Sequence, residues 1–430
     1  YPLRRQRQMC IRDRENIYRV LQIKIKEVGS MFQVERKILE WVQKHIPLLL
    51  VVAATVIGTV LRFDQRHYVS TDYIGYLMDW YEKIKAAGAL QGGLREQVGS
   101  YNLLFQFLIA LMTYLPIDSL FAYKMLSILF DYLLAVICGW FVYDLIGRTS
   151  TWKGALAYTC VLCSPIVILN SATWAQCDVI YTFFIMISLY YFTKERYIPS
   201  FLWLGVGFAF KLQALFILPL YAFWYFSRKK FTVLHFLIPF GVLFLSGLPN
   251  VILGGRGLFD VFEVYFGQTE WFGQFAMNYP SFWLTLCTNP YTGYEEIWNV
   301  AMLSTIVILA ILMVYWLYRK VEFTGKNLLY MGLLLIYTCI LFMPGMHERY
   351  GYSYEILSIL IAFLLPETIP LTVGLLGISM TTYGSYLYYN ALSQYPFALP
   401  LLSVINIGIY LTYVRILNRK MSIENKQINR

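Results

Sequence analysis

The chain has 430 residues, of which 58% are hydrophobic and only 14% charged, with a formal net charge of +10. Soluble domains average about 45–50% apolar and roughly 25% charged residues, so a soluble globular domain is excluded. The apolar residues come in continuous blocks near the about 17–25 residues that cross a bilayer as a helix, not in the alternating pattern of a β-barrel, which leaves an all-α polytopic membrane protein.

In chain order, the first segment is YPLRRQRQMCIRDR. It does not open with Met and resembles a translated sequencing-library adapter. Lys26-Glu27-Val28 can be encoded by a ribosome-binding-site-like stretch just before Met31. The expectation is therefore that residues 1–30 are a non-native leader and that 31–44 form a cytoplasmic N-terminus. Five Arg and one Asp in residues 1–14 carry +4 of the formal charge and are set aside.

A transmembrane domain is expected over 45–416, with twelve spans at roughly 45–62, 120–146, 152–171, 178–193, 198–210, 212–227, 231–253, 297–318, 327–343, 353–366, 368–390 and 396–416. The run YNLLFQFLIALMTYLP (101–116) is read as an outer-surface amphipathic helix instead. That choice puts GRTSTWK, SRKK, YRKVEFTGK and the basic tail 417–430 on the cytoplasmic side, as the positive-inside bias favours. Fifteen cations then lie inside, whereas the outer segments after the first loop hold only Lys211, Arg256 and Arg349, with Lys124 near an outer end. The outer loops are 62–119 and 254–296.

The first outer loop contains Asp72, Asp79 and Glu82 among Tyr73, Tyr76, Trp80 and Tyr81. Asp72 and Asp79 are seven apart, which puts them on one face of a continuous helix. Asp72 follows Ser70-Thr71 at a helix start, where it could cap the helix or act as a general base on a hydroxyl. Asp131 lies within a span with Lys124 seven residues earlier; intramembrane charges default to a functional hypothesis, and a structural network is the competing reading. Lys211 interrupts FLWLGVGFAF-K-LQALFILP and divides two short helices. Lys211, His347 and Arg349 together supply cationic donors suited to a phosphate, with Glu348 to orient or balance them. The loop 254–296 is aromatic (Phe259, Phe262, Tyr265, Phe266, Trp271, Phe272, Phe275, Tyr279, Phe282 and Trp283), which suits interfacial anchoring or an acceptor groove. The Cys160–Cys163 pair has no second pair or His partner, and no HExxH occurs, so no metal is expected.

An outward carboxylate, outward cations and a deep apolar body suit an anionic head group on a lipid. In glycosyl transfer from a lipid phosphate the leaving group needs charge stabilisation rather than a proton. One base and a few cations suffice, unlike the paired carboxylates of glycoside hydrolysis.

STDYIGYLMDWYEKIKAAG, GSYNLLFQFLIALMTYLP, KMLSILFDYLLA, NSATWAQCDVIYT, FAFKLQALFILP and MPGMHERYGYSYEIL, six blocks in order over about residues 62–357, resemble the GT-C membrane glycosyltransferases that use polyprenyl-phosphate sugars. The nearest resemblance is to a bacterial subfamily related to the GPI mannosyltransferase II and the dolichol-linked glucosyltransferases. The resemblance implies a GT-C-like fold in a bacterial plasma membrane, both termini cytoplasmic and the active site extracytoplasmic. It implies transfer of a hexose, mannose or glucose, with inversion and without a metal or other cofactor. The donor would be an undecaprenyl-phosphate-linked sugar and the acceptor a glycan or glycolipid; membrane lipids are the other partners, and no nucleic acid. Asp72 would be the catalytic base, and Lys211, His347 and Arg349 would lie near the phosphate. Trp174, Gln176 and Asp178 match a WGQCD-like block, with Ala175 in place of Gly, and would shape the sugar or acceptor cavity with Asp79, Tyr101, Asn102 and Glu348. An O-antigen-type polymerase or ligase and a lipid-linked sugar transporter or flippase are the alternatives; no convincing internal repeat supports the transporter.

Overall fold

The computed structural model describes residues 33–271, 275–286, 295–388 and 398–428. The segment 1–30, expected to be a leader, and Phe272 lie outside the described residues, as does the side chain of Trp271.

The chain is almost entirely helical. Among the described residues, six helices are long and apolar enough to cross a bilayer: Glu35–His67, Ser119–Leu145, Val233–Gly254, Ile297–Tyr318, Gly325–Phe342 and Ala398–Met421. A bent pair, Thr151–Leu162 and Pro165–Thr173, makes a seventh if taken as one span. Each of the twelve apolar segments read from the sequence contains helix; twelve crossings would need the shorter helices to be counted as well. The expected span 152–171 is not continuous. It bends by 46° because Pro165 forces the preceding Ser164 into an extended conformation (φ −60°, ψ 128°). The run 101–116 contains the helix α3 (Leu103–Met112), about 15 Å long at 1.5 Å per residue and too short to cross.

The remaining elements are α1 (Gln33–Asp64), α2 (Met78–Ala86), α4 (Ser119–Leu145), α5 (Thr151–Leu162), α6 (Pro165–Ile168), α7 (Asp178–Thr193), α8 (Tyr197–Phe210), α9 (Leu218–Arg228), α10 (Ile238–Gly254), α11 (Asp260–Trp271), α12 (Glu295–Tyr318), α13 (Gly325–Phe342), α14 (Tyr352–Leu364), α15 (Ile369–Leu387) and α16 (Ala398–Ile428). Strands β1 (Ala276–Met277) and β2 (Met346–His347) pair in parallel.

Helix α13 is apolar all round, the pattern of a helix enclosed by others. Its apolar window is 89% buried, against 17% for α1 and 22% for α10, α12 and α16. The peripheral helices instead expose Ile57, Val60, Leu303 and Val314, the surface a hydrocarbon solvent calls for. Helices α4 and α5 cross closely at two glycines: a Cβ on Gly139 would lie 2.8 Å from the Gly154 carbonyl oxygen, and one on Gly154 3.0 Å from that of Gly139.

Lys124 and Asp131 do not form the pair that their spacing allows; each has found a better partner. Asp131 Oδ2 accepts from Arg62 Nε at 2.8 Å and from Ser171 Oγ at 2.5 Å. Arg62 also donates to the Gly58 and Leu162 carbonyls at 3.0 and 2.9 Å, so α1, α4, α5 and the turn after α6 meet on one buried Arg62–Asp131 pair. Lys124 Nζ donates to the carbonyls of Gln65 and Tyr68 at 2.7 and 2.6 Å, tying down the turn past the end of α1 and fixing the chain just before Asp72.

Asp131→Ala leaves Arg62 buried without its counter-charge and is expected to cost about 3–5 kcal/mol. The double variant Arg62→Met/Asp131→Leu removes both charges and should recover most of that loss. Thermal unfolding of the purified protein in detergent compares the two; a double variant no more stable than Asp131→Ala would show that the two charges do not act as a unit.

Candidate functional site

Three irregular stretches of backbone build the site. The first begins at Asp72. Its side chain does not cap the helix; Ser70 Oγ does, accepting from the Tyr73 N–H at 3.2 Å. A π-helical turn, Tyr73–Leu77, follows before α2. The wider turn rotates the chain less per residue, so the helical register that would put Asp72 and Asp79 on one face is lost. Asp72 is buried, while Asp79 is exposed and ion-paired with Lys83 at 2.7 Å.

The second stretch runs from a π-helical turn, Leu169–Thr173, to Cys177. Ala175 takes a left-handed conformation (φ 63°), which costs a residue with a Cβ roughly 1–2 kcal/mol and explains why glycine would suit this position. The turn aims two donors at one carboxylate. Trp174 Nε1 and Gln176 Nε2 both donate to Asp72 Oδ2, at 2.9 and 2.7 Å. Ser70 Oγ ties back to the Trp174 carbonyl at 2.9 Å, and Tyr101 donates to Gln176 Oε1 at 2.9 Å.

The third is the 343–351 loop between α13 and α14. Gly345, at φ 70°, turns the chain. Its N–H donates to the Phe275 carbonyl at 2.8 Å, and the Glu348 N–H to that of Met277 at 3.0 Å. Thus part of the aromatic loop 254–296 braces the His347–Arg349 block.

Arg349 sits where the stretches meet. Its Nη1 lies 3.6 Å from Asp72 Oδ2 and 3.4 Å from Glu348 Oε1, and its Nε lies 3.5 Å from Asp178 Oδ2. All three exceed the 2.7–2.9 Å of a close charge-assisted hydrogen bond, and among the described residues Nε makes no hydrogen bond. Burial works against the guanidinium charge, but Asp72, Tyr101, Asp178 and Glu348 hold its pKa well above its ordinary value. Asp178 is anchored in turn. Lys211, in extended backbone between α8 and the 3-10 turn Leu212–Ile217, ion-pairs with its Oδ1, and Asn170 Nδ2 donates to its Oδ2 at 3.0 Å. The Lys211 ammonium also lies 5.5–5.8 Å from the ring centres of Tyr101, Tyr181 and Tyr350.

These groups face a cavity of ≈ 1410 Å³. Of the residues singled out from the sequence, Asp72, Asp79, Tyr101, Gln176, Lys211, His347, Glu348 and Arg349 line it. Trp174 and Asp178 do not; they stand behind it as supports of Asp72, Lys211 and Arg349. Asn102 is also structural: it heads α3, accepting from the Leu103 N–H at 2.5 Å and donating to the Val261 carbonyl at 3.4 Å. Lys124 and Asp131 belong to the networks described above.

Sequence reading missed Tyr386, near the end of α15, whose hydroxyl donates to Asp72 Oδ1. The spacing Tyr383–Tyr386 was its only signal: both rings pack on Trp174, at 5.2 and 4.8 Å between centroids. Among the described residues Asp72 therefore accepts three hydrogen bonds. A carboxylate has about four lone-pair sites, and the remaining one is on Oδ1. Chemically, the site offers an oriented acceptor and a loosely held guanidinium at the wall of a large cavity.

Comparison with known protein families gives no match, and comparison with curated proteins gives no significant similarity.

Two neighbours at the cavity wall titrate in opposite senses. Burial raises the Glu348 carboxyl from its ordinary 4.5 to about 7, against the pull of Arg349. Burial, then Arg349 and Lys211, hold the His347 imidazole well below its ordinary 6.5. The folded chain binds the Glu348 proton more tightly than the unfolded chain, so that contribution is present below about pH 4.5 and is lost as pH rises towards about 7. The folded chain resists protonating His347, so that contribution is lost as pH falls below about 6.5. Between these limits the two oppose each other. Glu348→Gln should make stability rise with pH through this window relative to wild type, and His347→Gln should make it fall, each by up to about 1.4 kcal/mol per pH unit. Melting temperatures from pH 5 to 7 report this; parallel profiles for the three proteins would reject the assignment.

Proposed function

We propose that the protein is an inverting membrane glycosyltransferase of the GT-C type. It moves a hexose, mannose or glucose, from a polyprenyl-phosphate carrier to a glycan or glycolipid acceptor. The observation that carries this reading is the juxtaposition of Asp72, with one acceptor position open, and Arg349, 3.6 Å away, at the wall of a large cavity.

In the proposed reaction the acceptor hydroxyl gives its proton to Asp72 Oδ1. The acceptor oxygen forms a bond to the anomeric carbon from the face opposite the phosphate. The bond between that carbon and the phosphate oxygen breaks, and its electron pair leaves with the lipid phosphate. One displacement inverts the centre. Three hydrogen bonds orient the Asp72 carboxylate and leave Oδ1 as the acceptor for the hydroxyl proton. The added negative charge on the phosphate is met by Arg349, whose loose contacts leave donors to offer. Lys211 acts at one remove by neutralising Asp178. The chain needs no metal for these steps.

The proposal places the cavity on the extracytoplasmic face of a bacterial plasma membrane, with twelve crossings and both termini cytoplasmic. The distribution of cations among the loops supports this orientation. Lys83, exposed at the cavity, and Lys320, in the loop between α12 and α13, then lie on opposite sides. An impermeant maleimide on intact cells should label Lys83→Cys and not Lys320→Cys; the reverse pattern inverts the topology.

Transfer from a panel of polyprenyl-phosphate sugars by the purified protein tests the activity. Asp72→Asn should lose about 10²–10⁴-fold in rate, the usual contribution of a general base. Arg349→Lys should lose at least tenfold, on the order expected when a bidentate fork becomes a point charge. EDTA should leave wild type unaffected. Undiminished turnover by Asp72→Asn would overturn the mechanism in favour of a polymerase- or ligase-type reaction with its base elsewhere.

A further inference from the structure

The charges gathered around Arg349 do not balance. Asp72, Asp178 and Glu348 face two cations, Arg349 and Lys211, while His347 is held neutral by its surroundings; the other charged residues that line the cavity, Asp79, Lys83, Arg95 and Glu96, cancel one another. An anionic ligand would add to an existing excess of negative charge in a site shielded from water, where like charges repel strongly.

The three acids are not equally supported as anions. Asp178 has the Lys211 ammonium and the Asn170 amide. Asp72 has the Trp174, Gln176 and Tyr386 donors. Glu348 is only 2% exposed, and its one cation, Arg349 Nη1, is 3.4 Å away and shared with Asp72. Its own backbone N–H and the Asn278 side chain are its other hydrogen-bonding groups. Glu348 also lines the cavity, next to the guanidinium that an anion would seek.

We propose that Glu348 receives the anionic ligand as a neutral carboxylic acid, donating its proton in a hydrogen bond to a phosphoryl oxygen while Arg349 supplies the charge. This rests on the reading above, that the cavity takes a lipid-linked phosphate, and adds that binding takes up a proton at any pH where Glu348 is ionised beforehand. The proton moves from solvent to a Glu348 carboxylate oxygen; no other bond changes. Burial opposes ionisation of Glu348 most strongly, and Asp72, from the segment before α2, adds to it; Arg349, the Glu348 backbone N–H and the Asn278 side chain favour ionisation, and the net direction is towards the acid. Tyr350 and His347 on the same loop are neutral, the Tyr386 hydroxyl on α15 is engaged with Asp72, and Lys211 and Asp178 lie beyond Arg349 as a paired unit. The balance holds the proton with a pKa of about 7 before any ligand arrives, so an incoming anion has only to tip it.

The test uses the full-length protein in detergent and geranyl methyl phosphate, a phosphodiester with one negative charge throughout pH 6–8.5. Titration calorimetry in two buffers of different ionisation enthalpy reads proton uptake directly. For wild type, Kd should rise by up to about tenfold per pH unit above about 7, with uptake of about one proton at pH 8. Glu348→Gln, which keeps a hydrogen-bond donor without a titratable group, should bind with a nearly constant Kd and no uptake. Wild-type binding without proton uptake, or equal uptake by Glu348→Gln, overturns this inference and leaves the phosphate-site reading standing. No wild-type binding at any pH overturns both.

Discussion

A guanidinium taken out of water must be neutralised by what surrounds it, and Arg349 draws its counter-charges from distant parts of the chain. Asp72 comes from before α2, Asp178 from the start of α7, and Glu348 is its neighbour in sequence. Each carboxylate then needs its own partners. Asp178 recruits Lys211 and Asn170; Asp72 recruits Trp174, Gln176 and Tyr386. One desolvated charge thereby organises groups from both halves of the chain. It also explains why Lys211 is not a free phosphate clamp: its charge is already committed to Asp178.

The same constraint operates a second time around Arg62. There the solution is tight. Arg62 meets Asp131 at 2.8 Å and two carbonyls at 2.9 and 3.0 Å, whereas the contacts of Arg349 are 3.4–3.6 Å. A close-contact cluster fits a structural role, because the charges already have their best partners. A loose cluster beside a cavity has hydrogen-bonding capacity left over. The comparison separates the two intramembrane-type charge clusters by geometry where sequence position could not.

The helices were legible because a bilayer demands long apolar runs, and those survive in sequence as blocks. The break at Lys211 was legible for the same reason: one cation in an apolar run must end a helix or find a partner, and it does both. The bend at Ser164–Pro165 carried a local signal, the proline, but a uniformly apolar flank hid it. At the site, Asp72, Arg349 and Lys211 stood out as charges in apolar surroundings. What could not be read was which charge meets which. Lys124 and Asp131 have helical spacing yet pair elsewhere, because Arg62, 69 residues before Asp131, offers a shorter contact. Tyr386 was illegible because tyrosine is one of the commonest residues in this chain, and only its distance to Asp72 in the fold sets it apart.

Irregular backbone is costly inside a membrane, where unpaired amide groups find no water; it is tolerated when enclosed by protein or when it lines a cavity. In this chain the irregularities converge. The π-helical turn after Asp72, the one before Trp174, the left-handed Ala175, the extended Lys211 and the Gly345 turn with its strand pairing all border or brace one cavity wall. A regular helix fixes side-chain directions at 100° steps and cannot point Trp174 and Gln176 at the same carboxylate oxygen. The distorted turns provide that aim, and the surrounding helices supply the rigid body against which the strain is held.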